Sequence, residues 1–155
     1  MSRDLPVSQV MTTDVLSFSP EDNVRDAMVR LFDRGVDGAP VVDGSGNVVG
    51  MLSTGDLIVQ DAQIHVPTVI SLFGAYIELP SARKHFERDL EKALGATVGE
   101  VMTAEPAQCG PDDSLEWAAT LMHKRDVSRL PVVDAGGRLV GIVSRVDILR
   151  TLIAE

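Results

Sequence analysis

The chain has 155 residues, the size of one compact domain or of two very small ones. A net charge of −9 excludes the cationic footprint of a general DNA or RNA binder. Aromatic residues make up 4% of the sequence, so the core must be built from Val, Leu, Ile, Met and Ala.

In chain order, residues 7–11 are short and apolar and read as a helical turn. Val15-Leu16-Ser17-Phe18 alternates and reads as a short strand. Ser19-Pro20-Glu21-Asp22 reads as a helix start, with Ser19 as cap, Pro20 in the first turn and acids at the positive end. Val24, Ala27, Met28 and Leu31 follow at helical spacing as its buried stripe, and Gly35 ends it. Residues 40–42 and 48–52 read as two strands of a hairpin around the turn 43–47, after which Ser53 opens another helix.

The same order recurs. Val10-Met11-Thr12 matches Val101-Met102-Thr103, Pro20 matches Pro111, Pro40 matches Pro131, Gly50 matches Gly141, Ser53 matches Ser144 and Asp56 matches Asp147, each pair 91 positions apart. A constant offset marks a duplicated unit. At about 50 residues each copy is marginal alone, so the two should share a core as a pseudo-two-fold pair. In the second copy Gly110-Pro111-Asp112-Asp113 reads as the helix start, Leu115, Ala118, Ala119 and Met122 as the stripe, and residues 131–133 and 139–143 as the hairpin. A last helix runs from Ser144.

The expected organisation is a first repeat at 7–58, an insertion at 59–97 and a second repeat at 98–155. The insertion reads as a helical hairpin: an apolar helix over 65–79, then a charged one over 82–94 ended by Gly95. An apolar surface of that extent needs cover, from the repeats or from a second subunit.

Two Pro-Val-Val-Asp strands, two Gly-containing hairpins and two Ser-x-x-Asp helix starts resemble a cystathionine-beta-synthase (CBS) domain pair, or Bateman module. The resemblance covers both repeats and not the insertion. It implies an α/β (α+β) fold of two tandem β-α-β-β-α repeats. It also implies a stand-alone regulatory module that binds an adenosine nucleotide (AMP, ADP or ATP) in the inter-repeat clefts and signals to an effector protein. Catalysis is not expected.

In this family the Asp of Ser-x-x-Asp typically holds the ribose and the Ser helps with phosphate. The resemblance carries those roles to Ser53 and Asp56, and to Ser144 and Asp147. A carboxylate can accept from both ribose hydroxyls, and free N–H groups at a helix start receive anions. The base would lie against 12–16 and 103–107, which include Thr12, Val15 and Thr103. It would also lie against the strand starts Gly38, Ala39, Pro40 and Arg129, Leu130, Pro131. By residue type alone, Ser-x-x-Asp equally fits a helix cap. Pro40, Pro131, Gly50 and Gly141 equally fit fold positions. Arg129 replaces Gly38 and Arg145 replaces Thr54, which makes these arginines the candidates for phosphate, with solvated surface charge as their other reading.

His65, His85 and His123 have no metal-ligand spacing, so no metal site is expected. One cysteine, Cys109, precludes an internal disulfide. No signal peptide and no transmembrane segment are visible, which makes a cytoplasmic protein the expectation. A homodimer is expected from the family's habit and from the apolar insertion. Two other readings stay open: a ligand-free dimerisation module using the inserted helix, and an S-adenosylmethionine sensor. Nucleic acid is disfavoured by the acidity.

Overall fold

The computed structural model describes residues 2–56, 69–72, 75–78 and 91–154. Among the described residues each repeat packs a helix on a hairpin, and the second repeat adds a C-terminal helix. In the first repeat these are α1 (Val24–Arg34), β1 (Gly38–Val42) and β2 (Val48–Ser53). β1 and β2 are antiparallel, with Pro40 opposite Met51 and a register shift at Val41/Val42. After the short helix α2 (Val98–Val101) and strand β5 (Thr103–Ala104), the second repeat supplies α3 (Leu115–Arg125), β6 (Arg129–Val133), β7 (Leu139–Ser144) and α4 (Arg145–Ile153). The β6–β7 register repeats that of β1–β2, with Pro131 opposite Ile142 and the shift at Val132/Val133.

The helix stripe read from the first repeat is the buried one: Val24, Ala27, Met28 and Leu31. In α3 the buried residues are Leu115, Ala118 and Met122, whereas Ala119 faces out. Both helices begin later than Pro20 and Pro111 imply. Asn23 and Ser114 are the caps, accepting from the N–H groups of Asp26 and Trp117. The reason is local. Asp22 accepts from the Ser19 N–H at 2.9 Å and Asp113 from the Gly110 N–H at 2.7 Å, so each acid closes a turn instead of starting a helix. Residues 15–17 are not a strand either. Phe18 alone joins the sheet, donating to Pro40 O and accepting from Val42 N, before that turn takes the chain away.

Those turns are where the repeats interlock. Val7 N and Ser8 N donate to the carbonyls of Asp113 and Pro111, while Val98 N and Gly99 N donate to those of Asp22 and Pro20. The leader of each repeat is thereby docked on the other repeat. Val7 is fully buried among Cys109, Leu115, Leu130 and Val143, and Val98 among Phe18, Val24, Leu31 and Leu52. Thr12 exchanges two 2.9 Å bonds with Ile142, and Thr103 pairs with Met51 at the matching place. Gly50 and Gly141 sit under these crossings. A Cβ on either would meet a methionine side chain, Met102 or Met11, and stand 3.0 Å from the carbonyl of Thr103 or Thr12. Their role is close approach of backbone. The hairpin turns also meet, with Leu139 N donating to Gly46 O at 3.0 Å.

The insertion departs from a helical hairpin. Val69–Leu72 (β3) and Ala75–Glu78 (β4) pair antiparallel, with Ile70 opposite Ile77. Two four-residue runs rich in β-branched and aromatic residues, separated by two positions that include Gly74, fit a strand pair better than one helix. Of the second inserted helix, residues 91–94 are helical and Gly95 N donates to Glu91 O. Its earlier part, and the helix expected beyond Asp56, lie outside the described residues. Among the described residues no helix is long and apolar enough to cross a membrane.

Candidate functional site: two clefts between the repeats

The interlocking decides which residues share a cleft. A leader from one repeat lies across the last strand of the other, so each cleft takes its wall from one copy and its helix start from the other. The larger cleft, about 950 Å³, joins Thr12, Asp14, Val15 and Leu16 to Ser144, Arg145 and Asp147. Its far side is the end of α1 with Phe32, Arg34, Val36, Asp37 and Gly38. The smaller cleft, about 380 Å³, is the pseudo-symmetric counterpart: Thr103, Glu105, Pro106 and Ala107 meet Ser53 and Asp56, with Arg125, Asp126 and Ser128 opposite. Arg129 lines both.

Of the residues singled out in the sequence, Thr12, Val15, Gly38, Ser144, Arg145, Asp147 and Arg129 come together in the larger cleft, and Ser53, Asp56, Thr103 and Arg129 in the smaller. Ala39, Pro40, Leu130 and Pro131 line neither. All four are buried: alternation turns Ala39 and Leu130 to the face opposite Gly38 and Arg129, while Pro40 and Pro131 lie further along β1 and β6, opposite Met51 and Ile142.

Ser144 and Asp147 do form a capping box. The Ser144 hydroxyl accepts from Asp147 N at 3.1 Å, and Asp147 Oδ2 accepts from Ser144 N at 2.9 Å. The cap uses one carboxylate oxygen. Asp147 Oδ1 has no protein partner among the described residues. Asp56 repeats the cap, Oδ2 accepting from Ser53 N at 2.9 Å, but its Oδ1 also accepts from the Thr103 hydroxyl at 3.2 Å. Cap and ligand contact are thus compatible on one aspartate, and only Asp147 has its second oxygen open.

The cationic residues are partly spoken for. The Arg145 guanidinium donates to Val127 O at 3.1 Å, which holds it beside its own helix start. Arg34 donates to Asp14 O at 3.0 Å and stands 3.6 Å from the Asp14 carboxylate. Arg129 is ion-paired with Asp37. Phe32, Val36, Ile142 and Val146 give the larger cleft an apolar surface on which a planar ring can lie. Asp14 falls within the stretch 12–16 expected against the base, whereas Asp37, Phe32 and Val36 lie outside the expected site. Phe32 could have been found as an apolar residue off the buried stripe of α1, and Val36 as the apolar residue just after its Gly35 cap. Asp37 could have been found as the acid paired, at 91 positions, with Ser128.

The sequence pattern of the CBS domain matches residues 7–61 and 98–154. The uncharacterised protein MJ1426 of Methanocaldococcus jannaschii is 35% identical over 140 residues, covering 86% of this chain and 83% of that protein. The chloroplastic CBS domain-containing protein CBSX2 of Arabidopsis thaliana is 33% identical over 139 residues, but the chain spans only 56% of its length. A crystal structure of CBSX2 in complex with AMP superposes with a TM-score of 0.72 at 29% identity, covering 96% of each chain. The CBS domain pair of protein MJ0100, solved with 5′-methylthioadenosine and S-adenosyl-L-methionine, shares the fold with a TM-score of 0.70 at 22% identity, covering 97% of each chain. Doubled motifs, interlocked repeats and these matches lead to one conclusion: the chain belongs to the CBS domain family, as a tandem pair.

Proposed function

We propose that the chain is a regulatory module that senses an adenosine nucleotide in the larger cleft. The observation that carries this reading is the open Oδ1 of Asp147. It faces a cleft that offers an apolar wall for a base, a carboxylate oxygen for ribose hydroxyls and the guanidinium groups of Arg129 and Arg145 for an anion. The AMP complex of CBSX2 supports the ligand class. The complex of MJ0100 keeps S-adenosylmethionine as the second reading, since a ribose is common to both ligands. Occupancy would tie the leader of the first repeat to α4 of the second, and an effector protein would read the altered packing. A homodimer fits the apolar residues left outside the cleft: Val29 on α1 is 51% exposed and Ile153 on α4 is 80% exposed.

The test is thermal unfolding with AMP, ADP, ATP, adenosine and S-adenosylmethionine, each at millimolar concentration. A ligand that binds only the native state raises the melting temperature. A shift with adenine nucleotides, lost in Asp147→Asn, is the expected result. No shift with any of the five ends the sensor reading.

A further inference from the structure

At the pseudo-two-fold position where the repeats face each other, the first copy has Gly38 and the second Arg129. The Arg129 side chain crosses over the glycine. A Cβ at position 38 would meet the guanidinium, and the bare glycine leaves it room there. The guanidinium then meets Asp37, whose counterpart in the other repeat is Ser128. Arg129 is largely enclosed, its side chain 19% exposed, while that of Asp37 is 68% exposed. This is a sheltered cation under a solvated carboxylate, at the boundary of both clefts.

We propose that Asp37 is an internal competitor that sets how strongly this module prefers phosphorylated adenosine ligands to unphosphorylated ones, by occupying the Arg129 guanidinium. The proposal rests on the nucleotide reading of the larger cleft. Guanidinium forks pair with phosphate oxygens as well as with carboxylates. A carboxylate so exposed holds its partner weakly, so an arriving phosphate of higher charge can displace it. Once Arg129 turns to the phosphate, Asp37 is left as a nearby like charge that opposes it. Removing that charge should therefore strengthen phosphate binding, the reverse of what removing a ligand contact does. Adenosine has no phosphate and does not enter the competition.

The experiment is calorimetric titration of AMP and of adenosine into the wild-type chain, Asp37→Asn, Asp37→Ser and Arg129→Gln. The quantity read is the ratio of AMP affinity to adenosine affinity. It should rise roughly tenfold in Asp37→Asn, and fall by a similar factor in Arg129→Gln, as befits a charge-assisted hydrogen bond. Asp37→Ser borrows the residue of the other repeat and must raise the ratio too, which separates lost competition from an effect of the asparagine. A ratio that stays level or falls in both Asp37 variants overturns the proposal while leaving the sensor reading standing. If neither ligand binds the wild-type chain, the sensor reading itself fails and takes the proposal with it.

Discussion

The two clefts are built from the same parts and differ at a few atoms. In the smaller cleft the Thr103 hydroxyl closes the second oxygen of Asp56, whereas the equivalent Thr12 makes no such bond to Asp147 among the described residues. Acids also outnumber bases in the smaller cleft. Asp56, Glu105 and Asp126 face Arg125 and Arg129, while in the larger one Asp14, Asp37 and Asp147 are balanced by Arg34, Arg129 and Arg145. The fold therefore supplies two pseudo-symmetric grooves that differ in side-chain chemistry: one has an open carboxylate oxygen and balanced charge, the other neither.

The shared framework can be broken equally on both sides. Gly50→Val and Gly141→Val each push a branched side chain onto a methionine and a strand carbonyl. Each should cost about 3 kcal/mol, at the upper end for overpacking, measured by urea unfolding. A large loss in one variant and none in the other would show that the crossings are not equivalent. The clefts, in contrast, should respond unequally. Asp147→Asn keeps an acceptor for the Ser144 N–H but gives up the open carboxylate oxygen, and should weaken AMP binding by about 1–3 kcal/mol in titration calorimetry. Asp56→Asn should change it by less than about 0.5 kcal/mol, because its second oxygen already serves Thr103. Equal losses would return both clefts to equivalence.

A third test concerns the core of the second repeat. Burial, and then the Asp113 carboxylate, push the Cys109 thiol up from its ordinary 9.0 to about 12. Below pH 9 the thiol is protonated in both folded and unfolded chains and adds nothing to the pH dependence. Between pH 9 and 12 the unfolded chain releases this proton and the folded one retains it, so stability falls as pH rises, with a slope approaching about 1.4 kcal/mol per unit. Cys109→Ala should remove that part of the slope. The first repeat has Phe18 at the matching place and carries no such dependence.

Much of the framework was legible because it is written twice. The offset of 91 fixed the repeats, and period and turn residues fixed α1 and both hairpins. The helix starts were misplaced because Pro20 and Pro111 look like first-turn prolines. The adjacent acids instead close turns that receive the other repeat's leader, a tertiary demand that no local pattern announces. In the insertion, apolar runs of mixed period suit helix or strand, and β-branched content favours the strands at Val69–Leu72 and Ala75–Glu78. Around the clefts, the Ser-x-x-Asp pairs were legible from the resemblance and Arg129 from the difference between the two copies. Ala39 and Leu130 could not be excluded, since being next to a site residue in sequence means the opposite face of a strand. Asp37 differs visibly from Ser128 at the 91-residue offset, but its pairing with Arg129, 92 positions away, is a tertiary contact that the offset does not announce.

The smallest predicted effect separates two roles that the sequence leaves fused. Ser144 caps α4 through its hydroxyl, and the resemblance also gives it a hand in phosphate binding. Ser144→Ala removes the hydroxyl and leaves the Asp147 carboxylate able to accept from the backbone at position 144. Loss of the cap should cost about 1 kcal/mol of stability without ligand. If capping is the whole role, AMP affinity should then change by less than about 0.5 kcal/mol, since the hydroxyl would touch no ligand atom and Asp147 keeps its backbone partner. The open oxygen of Asp147 and the Arg129–Asp37 pair would then carry the discrimination, and the serine would serve only to aim the aspartate. An affinity loss as large as that of Asp147→Asn would instead place the hydroxyl on the ligand and move the centre of the site towards the start of α4.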